Sequence, residues 1–483
     1  MIKQSRRGFG SYFRSANAKE LARLALIALS MLVAVGAGAA FFMVLEFEQP
    51  TVAVNKEIKF VGGAMALPLQ AADKKSGIQQ ITVTLRHQNG SVYPLFDRQY
   101  PRQSWFSQAG PSQVQEVLNV DVKGLGLKEG GAELLVTVHD FSLKRNSTEL
   151  RLPVTVDSKP PLLMIEHAQM HLQQGGSGMV LYSSSEPLSR HGVMIEKMFF
   201  PGFPLPGKDK TYITYIALAW DSEKPENTRV IGTDEAGNEA QASFSVRFKK
   251  AKEKRDRIEI PDSFLQNKLP EFQQHYPEMK GTDVEKYLFV NQKVRVLNAE
   301  KISNVCRNTA QEQLWQDRFL RMPGAGRAAY ADQRTYYYKG QEIDQQTHLG
   351  IDIASNEKAE VRAANRGRVV FADYLGIYGN MVIIDHGQGL SSLYSHLSRL
   401  ETSVGKMVEK DEIIGRTGTS GMAAGDHLHF SMLVHGIFVT PVEWWDQHWI
   451  DVNINNIINQ KPTPPAQNAA PPAASQPTET HAP

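Results

Sequence analysis

The chain has 483 residues, with 53 Lys and Arg against 51 Asp and Glu, a formal charge of +2, and 14 histidines; at roughly 150 residues per domain this length holds about three folded units. Lys3, Arg6, Arg7, Arg14, Lys19 and Arg23 precede the first long apolar run with only Glu20 against them, so the remainder is slightly acidic, which argues against nucleic acid as a partner. The single cysteine, Cys306, excludes an intrachain disulfide and a Cys-rich zinc knuckle, leaving His and carboxylate side chains as metal ligands.

Leu24 to Leu45 contains no charged residue and, at ~1.5 Å per helical residue, covers the roughly 30 Å apolar core of a bilayer. With the basic leader (1–23) before it and Glu46 and Glu48 after it, the pattern predicts a single-pass transmembrane helix over 24–45. The leader is then cytoplasmic and the rest of the chain lies outside the cytoplasmic membrane. Ala37-Gly38-Ala39 offers a competing reading, a cleavable signal peptide. From about 50 to 250, short alternating segments broken by Gly, Asn, Pro and Asp predict strands, among them Ile81–Leu85, Leu134–Val138, Tyr212–Trp220 and Ala242–Phe248. A weak internal repeat, in which a strand ending at Asp140 or Asp234 is followed by a polar turn and a last strand, divides them into modules 50–158 and 160–248. Asp157-Ser158-Lys159-Pro160-Pro161 forms a stiff joint between them. These resemble the tandem immunoglobulin-like β-sandwich modules of bacterial surface proteins, which act as spacers or offer surfaces to envelope protein partners; spacing is the role expected here.

Residues 249–322 read as a charged linker and a helical segment. Lys249–Arg257 is a charge run expected as solvated helix or linker, and Val305, Leu314, Trp315 and Phe319 show helix-like spacing around a cap at Asn308. Strand signals return over 323–450, at Gly367–Asp373, Asn380–Asp385, Leu390–His396 and His427–Val434. The tail 461–483, rich in Pro and Ala, predicts an extended, disordered segment.

Three short motifs in the last domain carry residue types suited to one metal ion. His348-Leu349-Gly350-Ile351-Asp352 offers an imidazole and a carboxylate four residues apart with a glycine between them. Tyr394-Ser395-His396-Leu397-Ser398 ends a predicted strand. His427-Leu428-His429-Phe430 sits on another, where residues i and i+2 share a face roughly 6 to 7 Å apart, which suits one ligand beside one residue poised over bound water. Two imidazoles and a carboxylate with a fourth position open form the donor pattern of a catalytic zinc. Zinc lowers the pKa of water from about 15.7 toward about 7 and polarises a carbonyl, and two further histidines can exchange protons near neutrality. Any one of these motifs alone is a weak signal; their combination in a β-rich domain is not. His386, in Asp385-His386-Gly387, is expected in a turn, and His435 and His448 have no partner at ligand spacing.

The stretch from Gly340 to about Trp445 resembles the lysostaphin-type, or LytM-domain, zinc metallopeptidases that cut peptides of bacterial cell walls. The resemblance rests on His348–Ala354, Tyr378-Gly379-Asn380 through Gly387, Tyr394–Ser398, Gly415-Arg416-Thr417-Gly418-Thr419-Ser420-Gly421 and His427–Phe430. It implies a small, mostly antiparallel β-barrel-sandwich (duplicated hybrid motif) at 323–450, with one Zn2+ held by His348, Asp352 and His429 in an open groove. His396 and His427 would be the catalytic histidines. Arg334 alone fits the turn the family carries upstream, and Ser431 stands where Glu is common. The implied activity is a zinc endopeptidase acting on peptidoglycan peptides, with the catalytic domain in the periplasm; the alternative is a non-catalytic LytM-like adaptor that activates another wall hydrolase. Residues 258–320 would either shield the groove or support the domain.

Overall fold

The computed structural model describes residues 18–459 apart from 45, 63, 105–107 and 122, so most of the basic leader and the tail expected to be disordered lie outside the described residues. The described chain is mostly β and divides into two units, Met1–Pro160 with Glu235–Asn238, and Pro161–Asp234 with Glu239–Pro483.

In the first unit, helix α1 (Ala18–Val44) contains a window, Glu20–Gly38, of mean hydropathy 2.0 whose side chains are exposed all round. A helix apolar on every face and this long is able to cross a membrane. The β part places a five-stranded sheet (order Phe60–Val61, Ser147–Val156, Gly130–Asp140, Ile78–His87, Val92–Gln99) against a three-stranded one (Thr51–Val54, Ala64–Ala72, Gln113–Asp121). Alternation determines which side chains meet between them: Ile81, Val83 and Leu85 pack with Leu134, Val136 and Val138, and with Leu67 and Leu69 of the other sheet.

In the second unit, the next β module has two four-stranded sheets, one built on Ser177–Ser184 and Thr211–Ala217, the other on Leu188–Ile195 and Thr228–Asp234. Every residue of Thr211–Ala217 is buried, an all-in pattern that requires cover on both faces. The cover comes from downstream: Tyr215 meets Trp444 at 5.9 Å and Trp315 at 6.5 Å, and one apolar core runs from Met179 and Ile216 through Phe319 to Phe430. This module therefore shares one core with the C-terminal domain.

The C-terminal domain centres on an antiparallel sheet in the order Ala325–Ala328, Ile351–Ala354, Leu428–Val434, Leu390–Leu397, Asn380–Asp385, Gly367–Tyr374, Met407–Val408. Against its other side lie α2 (Asp262–His275), α3 (Asp283–Leu288), started by a capping box between Thr282 and Glu285, and α4 (Arg295–Cys306). Phe272, Val290, Val294 and Ile302 from this segment pack on Ile377, Met381, Ile383 and Leu433.

Several local expectations are corrected. Within the charge run, Arg255–Glu259 is a strand parallel to Asp332–Tyr338: its charged residues alternate outward while Ile258 turns in, and Arg257 lies over the Tyr337 ring. No helix follows Asn308. Leu314, Phe319 and Leu320 instead donate backbone N–H bonds to His386, Trp444 and Ala364 carbonyls, so the apolar spacing serves an irregular strap. Ala242–Phe248 is broken into Glu239–Ser243 and Arg247–Lys249. His386 lies in the turn between Asn380–Asp385 and Leu390–Leu397 as expected, but it is fully buried there, between Arg366 O and Ser392 Oγ at 2.7 Å each and edge-on to Phe319.

The junction inside the second unit contains a titratable latch. The Glu443 carboxylate accepts from Ser177 N–H (2.8 Å) and Ser177 Oγ (2.9 Å), while Trp444 Nε1 donates to the same Oγ (3.0 Å). Burial pushes the Glu443 carboxyl up to about 7 against those hydrogen bonds. A group that binds its proton more tightly when folded adds stability that is full below its unfolded pKa and lost as pH rises through the folded one. Thermal melts are thus expected to show stability falling from about pH 4.5 to above 7, by at most on the order of 3 kcal/mol because an edge of the residue remains solvated. Glu443→Gln should flatten that slope; an unchanged slope would contradict the assignment.

Candidate metal centre

Sheet register builds the site. Asp352, on Ile351–Ala354, pairs directly with His429 on Leu428–Val434, which in turn pairs with Ser395, the residue before His396. His348 ends the strand Gln341–His348, opposite Asp332. The chain passes from His348 to Asp352 within hydrogen-bond distance of the His429 ring because residue 350 is glycine. A Cβ there would stand 2.5 Å from His429 Cε1 and Nε2.

The three side chains converge. His348 Nε2, Asp352 Oδ1 and His429 Nδ1 are mutually 2.9 Å apart and buried. Their outward hydrogen bonds determine where the protons lie. His348 Nδ1 faces the Ala329 carbonyl at 2.9 Å, which can only accept, so Nδ1 carries the hydrogen and Nε2 turns a lone pair inward. Ser431 donates its hydroxyl hydrogen to Leu349 O (2.8 Å) and so accepts from His429 Nε2 (3.1 Å), leaving His429 Nδ1 unprotonated. The serine where Glu is common thus acts as the tautomer setter. Three inward lone pairs without a proton among them form a donor set for a cation, and the separations approach the roughly 3.3 Å edge of a tetrahedron with ~2.0 Å bonds. The Arg334 guanidinium donates to Asp352 Oδ2 at 3.1 Å, holding the other oxygen toward the histidines.

His396 and His427 stand beside this cluster, their rings 4.9 Å apart and that of His396 5.8 Å from His429. His396 Nδ1 donates to Ser420 O (2.9 Å) and His427 Nδ1 to Gly425 O (2.7 Å), which leaves both Nε2 atoms free for the groove. His427 Nε2 lies 3.6 Å from Asp352 Oδ1. His427 precedes its strand, bridged to Gly418, rather than sharing a face within it. His396 adopts φ 63°, a left-handed conformation costly for a non-glycine residue and held here by the Ser420 loop. Gly421 (φ 67°) lets that loop press on Gly379, where a Cβ would meet Gly379 N at 2.3 Å.

Burial pushes His396 well below its ordinary range and His429 down to about 4. For Asp352, burial would raise the carboxyl, but attraction toward the neighbouring His348, His427 and His429 rings outweighs it and holds it well below its ordinary range. His427 also loses to burial, yet its attraction to the Asp352 carboxylate 3.6 Å away, with the Gly425 carbonyl on Nδ1, leaves it raised.

The groove, of about 1040 Å³, is lined by the site residues, by Thr419 and residues 422–427 of the following loop, and by Phe264, Asn267, Lys268 and Glu271 of α2. Lys268 Nζ donates to Thr419 O and Gly421 N–H to Glu271 Oε1 (2.6 Å), so α2 is fastened to the loop that orients His396. The sequence reading gave residues 258–320 as shield or support without placing α2 at the groove, and it named Arg334 without its contact to Asp352. A helix some eighty residues upstream gives no local signal of what it faces, whereas the arginine motif could have pointed to Asp352.

These hydrogen bonds predict opposite tautomers: in long-range proton–nitrogen spectra of the 15N-histidine-labelled protein, His348 should carry its proton on Nδ1 and His429 on Nε2. Ser431→Ala should scramble only the latter. The same tautomer on both rings would contradict the geometry.

Residues 346–441 match the model of Peptidase family M23. Over 95 residues the chain is 40% identical to DD-carboxypeptidase/endopeptidase Mpg of Neisseria meningitidis (20% of this chain, 22% of that protein) and 37% identical to the Murein hydrolase activator EnvC of Escherichia coli (20% and 23%). It is 34% identical over 94 residues to the Peptidoglycan DD-endopeptidase ShyC of Vibrio cholerae (20% and 22%). The match spans about a fifth of the length of these relatives. Fold, motifs and match agree that the C-terminal part of this chain is a domain of Peptidase family M23.

Proposed function

We propose that the chain is a zinc-dependent endopeptidase that hydrolyses peptide stems or cross-links of peptidoglycan during wall remodelling. In this reading α1 holds it in the bacterial cytoplasmic membrane, with the leader inside and the catalytic domain in the periplasm. The observation that supports this most is the meeting of His348, Asp352 and His429 at 2.9 Å with two more histidines beside them. Those three residues would hold one Zn2+, which supplies a Lewis acid that acidifies water and polarises a carbonyl. His396 and His427, each with Nδ1–H tied to a backbone carbonyl, have Nε2 available to take the proton of the attacking water, to face the developing oxyanion or to pass a proton to the leaving amine. Arg334 keeps Asp352 oriented through its bond to Oδ2.

Arg327, exposed on the groove lining and in no ion pair among the described residues, is placed to meet a free carboxylate, which wall stem peptides carry. An adaptor that activates another hydrolase would have no use for this donor set. The likeness to an activator covers the same fifth of the chain as the likeness to endopeptidases, so it does not favour that reading.

Purified sacculi provide the test. Release of cross-link-derived muropeptides by the zinc-loaded protein should stop with a chelator and fall by orders of magnitude in His429→Ala, and the product masses identify the bond. Undiminished cleavage by metal-free protein would contradict the proposal. Arg327→Ala is expected to raise KM about three- to tenfold with kcat little changed, and to lose this effect on a substrate whose carboxylates are amidated. A kcat loss without a KM change would remove Arg327 from substrate binding.

A further inference from the structure

The first unit buries three carboxylates against one another. Glu46, just beyond the end of α1, is 1% exposed, Asp73 3% and Asp140 0%, and one oxygen of each lies within 4.8 Å of the others. Local donors satisfy part of this cluster. Ser76 N–H reaches Glu46 Oε2 (3.0 Å) and Gly77 N–H reaches Asp73 Oδ1 (2.6 Å). Ser142 N–H and hydroxyl reach Asp140 Oδ1 (3.0 and 2.6 Å), and Asn146 Nδ2 reaches Asp140 Oδ2 (2.9 Å). Glu46 Oε1 has no partner although it is shut off from solvent. A buried carboxylate that leaves one oxygen without a partner and lies within 4.8 Å of two more carboxylates is costly unless a cation lies between them.

We propose that Glu46, Asp73 and Asp140 form a calcium site that clasps the peptide leaving α1 onto the first β module. The donors are all hard oxygens, which select the calcium and magnesium class over zinc. Oxygens up to 4.8 Å apart lie within twice the ~2.4 Å Ca–O distance, so one ion reaches all three. The donors come from three places, the helix exit, the turn after Ala64–Ala72 and the end of Gly130–Asp140, a set whose separate backbones suit calcium's irregular coordination better than magnesium's strict octahedron. Asn146 already joins two of them, donating from Nδ2 to Glu46 O (3.2 Å) and Glu48 O (3.0 Å) as well as to Asp140. An ion would complete this stitch and stiffen the connection between helix and module.

The test uses the full chain in detergent, with zinc present throughout and calcium titrated by calorimetry and by thermal melts. Calcium should bind and raise the melting temperature of the parent, and Glu46→Gln should weaken binding by on the order of tenfold or more. In calcium-free buffer Glu46→Gln should melt at the same or a higher temperature than the parent, since it removes like-charge repulsion. A purely structural hydrogen-bonding role would instead lower it with and without calcium. Asp73→Asn provides the second variant should Glu46→Gln fail to fold. No binding by the parent at millimolar calcium, unchanged affinity in the variants, or an equal response to magnesium would overturn the proposal.

Discussion

Three unprotonated donor atoms held 2.9 Å from one another are the constraint around which the C-terminal domain is organised. Lone pairs brought that close repel unless a cation sits among them, so the surrounding structure has to hold them there. Strand pairing places Asp352 against His429, Gly350 lets the chain pass the imidazole, and the Ala329 carbonyl and Ser431 hydroxyl assign the outward protons. Arg334 neutralises the far side of Asp352. Each contact is small, but together they leave one arrangement for the donors, which is how a preorganised centre is kept.

The site's support extends well beyond the matched family segment. The strap 307–322 and the upstream β module bury Trp315, Phe319, Tyr215 and Trp444 in a single aromatic cluster, so cutting the chain near residue 320 would remove part of the core of the second unit. Helix α2 lines the groove and is fastened by Glu271 and Lys268 to the loop that orients His396. The segment thus supports the loop and lines the groove at once. Glu443, buried at the junction with Ser177, adds a titratable contact to an otherwise apolar interface.

Much of the centre was legible before any coordinates, and for a physical reason: His348 with Asp352, and His427 with His429, lie close in sequence, and short spacings on strands restrict where side chains point. The strands Asn380–Asp385 and Leu390–Leu397 were also visible, since dense apolar runs bounded by Gly and Asp leave few alternatives. What escaped depends on distant partners. Leu314 and Phe319 have helical spacing, yet their amides are taken by His386 and Trp444 carbonyls, so tertiary hydrogen bonds override the local pattern. Arg255–Glu259 reads as a solvated charge run, but its half-buried residues belong to a parallel strand whose partner lies some eighty residues downstream. His386 has the neighbours of a turn residue and the environment of a core one, because Phe319 and Ser392 close over it.

X-ray absorption at the zinc edge of the purified full chain tests the central claim most directly. The account predicts one zinc per chain with a first shell of nitrogen and oxygen at about 2.0–2.1 Å, multiple scattering from two imidazoles, and loss of that signal in Asp352→Ala. A protein that retains no zinc, or whose zinc has fewer than two imidazoles and survives Asp352→Ala, would contradict it.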